Sequence, residues 1–391
     1  MYKHLFKLIW NKKKQNFLFL SEILVSFLVI FILFSLLVYF YQNYRKTLGI
    51  NDEQVWTVSY SNAHKIKNAD SVLSYNENLR SALKSIPQVL AVSFSGDNIP
   101  FSRSTYMTSV TSNGKNYGSL NFYKSDVEYA AIFKLKMLEG RWYIPEDAYG
   151  ERRNLVINRK LKEEVFGNKS AIGKTFSDND KMVIIGVTED MKERGDYYPA
   201  GKAMYRLLDT ASVRDLGTLL IRVSPDAGAV VEGKIYKTLS GIMVGANIEI
   251  KHVSDLRNDV NGLTKIPMII GLIVAGFLII NVALGLFGVL WYNINKRKGE
   301  IGLRRAIGAS GKAVAFQIVT ESLILATIAL IAGCFFAIQF PLLHVYDVPA
   351  SVYLIAMCGA AAFIYLLVLL CSIYPGSQAA AIQPAIALHE E

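Results

Sequence analysis

The chain has 391 residues, a formal net charge of +10 and a hydrophobic fraction of 52%. That fraction is high for a soluble protein of this size, and its concentration in long runs points to a polytopic membrane protein. The positive charge does not indicate nucleic acid, because much of it flanks the apolar runs and the long polar stretch mixes Lys and Arg with nearly as many Asp and Glu. Cys334, Cys358 and Cys371 all lie in apolar runs. No disulfide is therefore available to the polar stretch, which must be stable on its core alone.

Residues 1–15 alternate Leu5, Phe6, Ile9 and Trp10 with Lys3, Lys7 and Lys12–Lys14. The pattern fits an amphipathic elbow helix in the headgroup region, and equally a plain extension of the helix that follows. Residues 16–41 predict the first membrane span, with an apolar run from Phe17 to Tyr41. The run is long, carries Glu22 and lacks a small-residue cleavage site, which favours an uncleaved anchor over a signal peptide.

Residues 42–265 are enough for one or two domains. Val55–Tyr60 and Val89–Ser95 read as strands around a helix at Asn76–Ile86, with Leu79 and Leu83 on one face. Near the far end, Thr218–Val223 and Asn247–Val253 read as strands around a helix at Pro225–Leu239, with proline at its start. Two strand–helix–strand units predict a split βαβ lobe over 50–96 and 216–256, interrupted by a mostly β lobe over 97–215. The fold class is thus an α-helical membrane domain of four transmembrane helices plus an α+β extracytoplasmic domain.

Three further apolar runs follow, at Pro267–Trp291, Ala313–Phe340 and Ser351–Tyr374. They place spans at 266–293, 313–340 and 351–374. Basic residues precede the first span and fill 294–312, while the loop from Pro341 to Ala350 has no Lys or Arg. The positive-inside rule then puts both termini in the cytoplasm, the 375–391 tail by the even number of spans.

The 294–312 loop contains Lys-Arg-Lys-Gly-Glu-Ile-Gly-Leu-Arg-Arg-Ala-Ile-Gly-Ala-Ser from Lys296 to Ser310. Continued helically from Tyr292 to Ile307, it sets Glu300 and Arg304 one turn apart in the favourable order. Gly308 supplies a helix stop and Ser310 an N-cap for the next helix. The charges meet the topological requirement for a cytoplasmic loop. The interleaved Ile301, Leu303, Ala306 and Ile307 additionally suit a short helix pressed into a partner's groove.

Ionisable groups inside the spans are costly, so each needs a role. Glu22 lies close enough to the membrane edge to reach the interface or the lysine triplet. Glu321, with Gln317 one turn before it, fits a polar contact fixing the third span against a neighbouring helix or the loop. Gly271, Gly276, Gly285 and Gly288 would permit close helix approach in the second span. Gly167–Thr175 ends like a phosphate-binding loop but has five residues between its glycines, Gly167 and Gly173, where four are needed. Gly173-Lys174 reads better as a turn before a strand. The five histidines, His4, His64, His252, His344 and His389, have no ligand spacing. No G-x-S-x-G elbow occurs, so nothing marks the chain as an enzyme by itself.

Glu300 through Ser310, eleven consecutive positions, resembles the cytoplasmic signature of the MacB and FtsX-like permeases, membrane subunits of mechanotransmitting ABC transporters. The phrases Leu138–Trp142, Val156–Asn158, Phe166-Gly167, Ile172–Lys174 and Ile184–Val187, then Tyr374-Pro375 and Gln383–Ala385, extend the resemblance over essentially the whole sequence. Where basic residues usually follow the Tyr-Pro pair, Gly376, Ser377 and Gln378 stand instead. The resemblance implies ATPase coupling through Glu300, Ile301, Gly302, Leu303, Arg304, Arg305, Ala306 and Gly308, with Glu321 matching a family glutamate. It implies no cofactor on this chain, with ATP and Mg held by a partner ABC ATPase subunit, and a second permease copy or paralogue. The implied setting is the cell inner membrane, in contact with lipid and possible periplasmic adaptor or cell-wall hydrolase partners. Efflux of a peptide, toxin or antimicrobial is the expected activity. FtsX-like regulation of a cell-wall hydrolase and lipoprotein extraction are the alternatives.

Overall fold

The computed structural model describes residues 13–61, 69–149, 153–176, 179–208 and 218–382. The elbow-helix segment lies outside them up to residue 12, as does most of the tail beyond 382. Two compact units are formed, one within Met1–Gln42 and Lys265–Glu391 and the other within Asn43–Thr264.

In the first unit, four helices are long and apolar enough to cross a membrane: Phe19–Tyr44 within Lys13–Tyr44, Val253–Lys296, Gly311–Leu342 and Ala350–Ala380. Phe19, Ile23, Phe27 and Phe31 form one face of its core, against Leu286, Leu290, Leu325, Ala329, Ala356 and Ala360. Two glycines set the closest approaches. A Cβ at Gly333 would lie 2.5 Å from the Phe27 ring, and one at Gly359 3.0 Å from the Phe34 ring. Small residues thus let the third and fourth helices meet the first. Of the four glycines expected to do this in the second span, Gly285 alone has a neighbour at its Cβ position, the Glu22 carboxylate.

Two helices extend beyond the expected spans. The second long helix begins at Val253, ahead of the span expected from 266, because Val253, Leu256 and Val260, which belong to the second unit, pack into a core there and hold the polar stretch helical. The fourth continues beyond Tyr374 through Pro375 to Ala380. An internal proline costs roughly 3 kcal/mol in a helix. Here Pro375, Gly376 and Ala379 are buried, and that packing outweighs the local preference.

The second unit is built on one mixed sheet of eleven strands, ordered β11-β1-β10-β2-β4-β9-β6-β8-β5, with β3 on β4 and β7 on β8. The strands are β1 Val55–Ser61, β2 Val89–Ser95, β3 Met107–Ser112, β4 Lys115–Ser125, β5 Met137–Gly140, β6 Arg153–Asn158, β7 Thr175–Phe176, β8 Asn179–Thr188, β9 Lys202–Leu207, β10 Thr218–Val223 and β11 Asn247–His252. The antiparallel set β11-β1-β10-β2, with helices Ala69–Lys84 and Ala229–Ile242, is the split βαβ arrangement. Leu79, Leu83, Ile235 and Leu239 from those helices bury against Val58, Val92, Leu219 and Ile221. The second of these helices starts four residues after Pro225, which instead occupies a turn closed by Ala227 N–H donating to Ser224 O at 3.0 Å.

The inserted lobe continues the same sheet. β2 and β4 share a single register pair, Ser95 with Ser125. Asp126 reinforces this narrow join by accepting hydrogen bonds from Arg80 Nη2 at 2.9 Å, Ser93 Oγ at 2.6 Å and Phe94 N–H at 2.9 Å. Burial nevertheless pushes the Asp126 pKa up, more than these partners pull it down.

Candidate functional site

The second long helix ends at Lys296, and a separate short helix spans Lys298–Ala306. The expected continuous helix from Tyr292 to Ile307 is thus broken at Arg297, whose backbone (φ −105, ψ 13) is not helical. Packing explains the break. It turns Ile301 into a small apolar cluster with Ile294, Val314, Ile318 and Ala379, drawn from three of the long helices. Ile301 and Gly302 are buried as a result, while Leu303 is 55% and Ile307 79% exposed, with Ala306 also exposed. Ile301 was expected on the partner-facing side and lies instead on the inner one. Gly308 ends the segment at φ +102, and Ser310 Oγ accepts from Ala313 N–H at 3.2 Å to cap the third long helix.

Behind the exposed face, five side chains close a ring. Arg297 Nη1 donates to Glu321 Oε2 at 2.7 Å, and its Nε and Nη2 donate to Glu300 Oε2 and Oε1 at 3.0 and 3.3 Å. Glu300 Oε1 also accepts from Arg304 Nη2 at 2.8 Å. Arg304 Nη1 reaches Gln317 Oε1 at 2.7 Å, and Gln317 Nε2 returns to Glu321 Oε1 at 2.9 Å. Two guanidinium groups thus balance two carboxylates. Burial alone would lower the pKa of Arg297, but the hydrogen bonds to Glu300 and Glu321 outweigh it and hold the pKa above its ordinary value.

The ring brings Glu300, Arg304, Gln317 and Glu321 together. Its remaining member, Arg297, counts in the sequence only as topological charge, although its spacing of three from Glu300 was a usable signal. Arg305 stands outside, its Nη1 3.4 Å from Ala309 O. Glu22 is also separate. Its carboxylate lies against Gly285, and its carbonyl accepts from Ser26 Oγ. Phe19, Ile23 and Phe27 hold this part of the helix in the core.

Among the described residues no cluster of three or more His, Cys, Asp or Glu could hold a metal. The loop at Gly167–Thr175 has Gly173 at φ +77 in a turn leading into β7, and Lys174 Nζ lies over the Phe166 ring at 4.8 Å. In the sheet-containing unit, a cleft of about 390 Å³ is lined by Asn98, Ser102, Glu193, Arg194, Val260 and Leu263 among others.

Two family models match the sequence. The MacB-like periplasmic core domain covers residues 17–233, and the FtsX-like permease C-terminal region covers 272–384. The "Macrolide export ATP-binding/permease protein MacB" of Aggregatibacter actinomycetemcomitans is 22% identical over 251 residues, 59% of this chain and 38% of that protein. The "Uncharacterized ABC transporter permease YvrN" of Bacillus subtilis (strain 168) is 23% identical over 287 residues, 69% of this chain and 70% of that protein. The chain therefore spans well under half of the MacB relative. Among solved structures, the periplasmic region of MacB from Actinobacillus actinomycetemcomitans aligns at 16% identity with a TM-score of 0.39, over 56% of this chain and 98% of that one.

Proposed function

The chain belongs to the FtsX-like permeases that carry a MacB-like periplasmic core domain, and from that premise we propose that it couples a separate cytoplasmic ATPase to movement of its sheet-containing unit by mechanotransmission. The observation that carries the reading is the short helix at Lys298–Ala306, held from behind while its apolar side points out. Leu303 and Ile307 are exposed, whereas Ile301 and the Arg297 ring fix the helix to the long helices. Full burial of a leucine or isoleucine contributes roughly 1.5–3 kcal/mol. Two such side chains make a useful anchor for a partner's groove.

In this reading ATP and Mg bind to the partner ATPase and none to this chain. The loop and both termini face the cytoplasm, the sheet-containing unit lies outside the inner membrane, and a second permease copy or paralogue completes the complex. Efflux is the favoured activity, with a peptide, toxin or antimicrobial as cargo. The name of the MacB relative, a macrolide exporter, supports that direction.

Affinity purification of the tagged chain from native membranes in mild detergent tests the reading. A soluble ATPase should co-purify with the unsubstituted chain and be reduced at least tenfold by Leu303→Asp, with membrane insertion and unfolding temperature unchanged. Recovery of the ATPase undiminished by Leu303→Asp would remove the short helix as its dock. Absence of any ATPase from the unsubstituted complex would overturn the transporter reading.

A further inference from the structure

The two stretches of chain that leave the sheet-containing unit, residues 43–52 and the 253–264 portion of the second long helix, are tied to one turn, Lys192–Asp196. Lys192 Nζ donates to Asn43 O and Lys46 O, each at 2.6 Å, and to Asp196 O at 3.2 Å. Arg257, one turn into the helix, donates from Nε and Nη2 to Asp196 Oδ1 at 3.0 and 2.8 Å. Its Nη1 reaches both carboxylate oxygens of Asp52, at 3.2 and 3.3 Å. Asn261, one turn further along, donates from Nδ2 to Asp196 Oδ2 at 2.7 Å and accepts from Asp196 N–H at 2.9 Å.

The packing admits little slack. Gly195 has φ +90, and a Cβ there would lie 2.5 Å from Asn261 Oδ1, so the backbone approaches the helix as only glycine allows. Tyr44 and Tyr197 stack with centroids 5.6 Å apart. Asn51, next to Asp52, is held in turn by the buried Arg222, whose Nη2 reaches Asn51 O at 2.8 Å. Lys192, Asp52 and Asn261 are themselves buried. Burial draws the Lys192 pKa below its usual value, against the upward pull of Asp196.

Such a network is weak evidence of stability, since desolvation offsets much of the attraction. Geometry is what it fixes. Rotation or sliding of the helix by even one residue would separate Arg257 and Asn261 from Asp196 together. The helix is continuous from Val253 to Lys296, with Pro267 removing one hydrogen bond from its ladder without ending it. Lys296 and Arg257 thus lie on one helix.

We propose that Arg257 is a positioning residue for energy coupling: with Asp52, Asp196 and Asn261 it fastens the second long helix to the sheet-containing unit, so that helix movement becomes movement of that unit as a body. The proposal rests on the transporter reading above and deepens it.

The test uses the full chain with its co-purified ATPase in lipid nanodiscs, with Cys334, Cys358 and Cys371 replaced by serine. Spin labels are placed at Val230→Cys and Leu343→Cys, both at exposed positions. Pulsed-EPR distances are compared between ADP and ATP–vanadate. The chain with intact Arg257 should show a nucleotide-dependent shift. Arg257→Gln should reduce that shift at least fivefold while ATP turnover stays within twofold, and Arg257→Lys should restore half or more. Asp196→Asn, a milder change, should behave like Arg257→Gln and serves if that variant does not fold. A full shift in either neutralised variant overturns the proposal, as does Arg257→Lys performing no better than Arg257→Gln. No shift in the chain with intact Arg257 overturns the transporter reading, and the clamp's role falls with it.

Discussion

The Arg297 ring and the Arg257 clamp use the same chemistry in different surroundings. In each, one guanidinium is shared between two carboxylates, Glu300 and Glu321 in the ring, Asp52 and Asp196 in the clamp. The Glu300 side chain in the ring is 37% exposed, whereas that of Asp52 in the clamp is 5% exposed. Water can replace part of what the ring loses on opening, so the ring is suited to adjust. The difference lies in the carboxylate, since Arg257 itself is 32% exposed against 19% for Arg297, and little water reaches Asp52. An unpaired buried charge carries a cost of several kcal/mol, and the clamp is correspondingly suited to hold.

The most direct way to break this contrast is Arg257→Ala, which strands the Asp52 carboxylate. Loss of one partner from a buried pair costs about 3–5 kcal/mol. For a unit of this size that corresponds to a fall of about 10 °C in unfolding temperature, read by differential scanning fluorimetry in detergent. A fall of only 1 or 2 °C would mean that Asp52 is effectively solvated and the contrast fails. Arg297→Ala is the matching change in the ring. Because Glu300 keeps Arg304 and Glu321 keeps Gln317, and because Glu300 is partly exposed, the expected loss is smaller, roughly 1–2 kcal/mol. Equal losses in the two variants would erase the distinction between an adjustable and a fixed end.

The ring was half legible in the sequence and the clamp was not, for a physical reason. Helical spacing pairs Glu300 with Arg304 and Gln317 with Glu321, since residues four apart share a face. Closing the ring needed the helix break at Arg297, which arises from Ile301 packing among three other segments and leaves no local mark. The clamp joins Asp52 to Arg257 across 205 positions. Nothing in a polar stretch distinguishes a charge that will be buried from one that will stay in water. The spans were visible because apolar length is itself the requirement. The helices run beyond the expected spans where tertiary packing overrides local preference, at Val253 and Pro375. Gly333 and Gly359 carry no distinguishing mark in the sequence because glycine is common in membrane helices, and the rings of Phe27 and Phe34 opposite give them their packing role.

Arg141 and Asp147 supply the smallest effect and the sharpest control, a pair with good geometry whose arginine faces water. The guanidinium donates from Nη1 and Nη2 to the two carboxylate oxygens at 2.6 and 2.9 Å, while the Arg141 side chain is 47% exposed. The Arg141 hydrogen bond, aided by Ile144 N–H and Asn154, holds the Asp147 pKa below its ordinary 3.8, against the opposing effect of burial. A carboxylate with a depressed folded-state pKa contributes stability that is present above the unfolded value. That contribution disappears as pH falls through the folded value. Asp147→Asn should therefore cost about 1 kcal/mol at pH 7. The gap between variant and unsubstituted chain should narrow once pH drops below 3.8, as followed by thermal unfolding across that range. Were the cost at pH 7 to match that of Arg257→Ala, burial of the carboxylate alone, 6% exposed at Asp147 and 5% at Asp52, would decide what these pairs contribute, and the clamp would lose its claim to be the fixed end. A gap that persists undiminished in acid would assign the loss to packing around Asn154 rather than to the carboxylate charge.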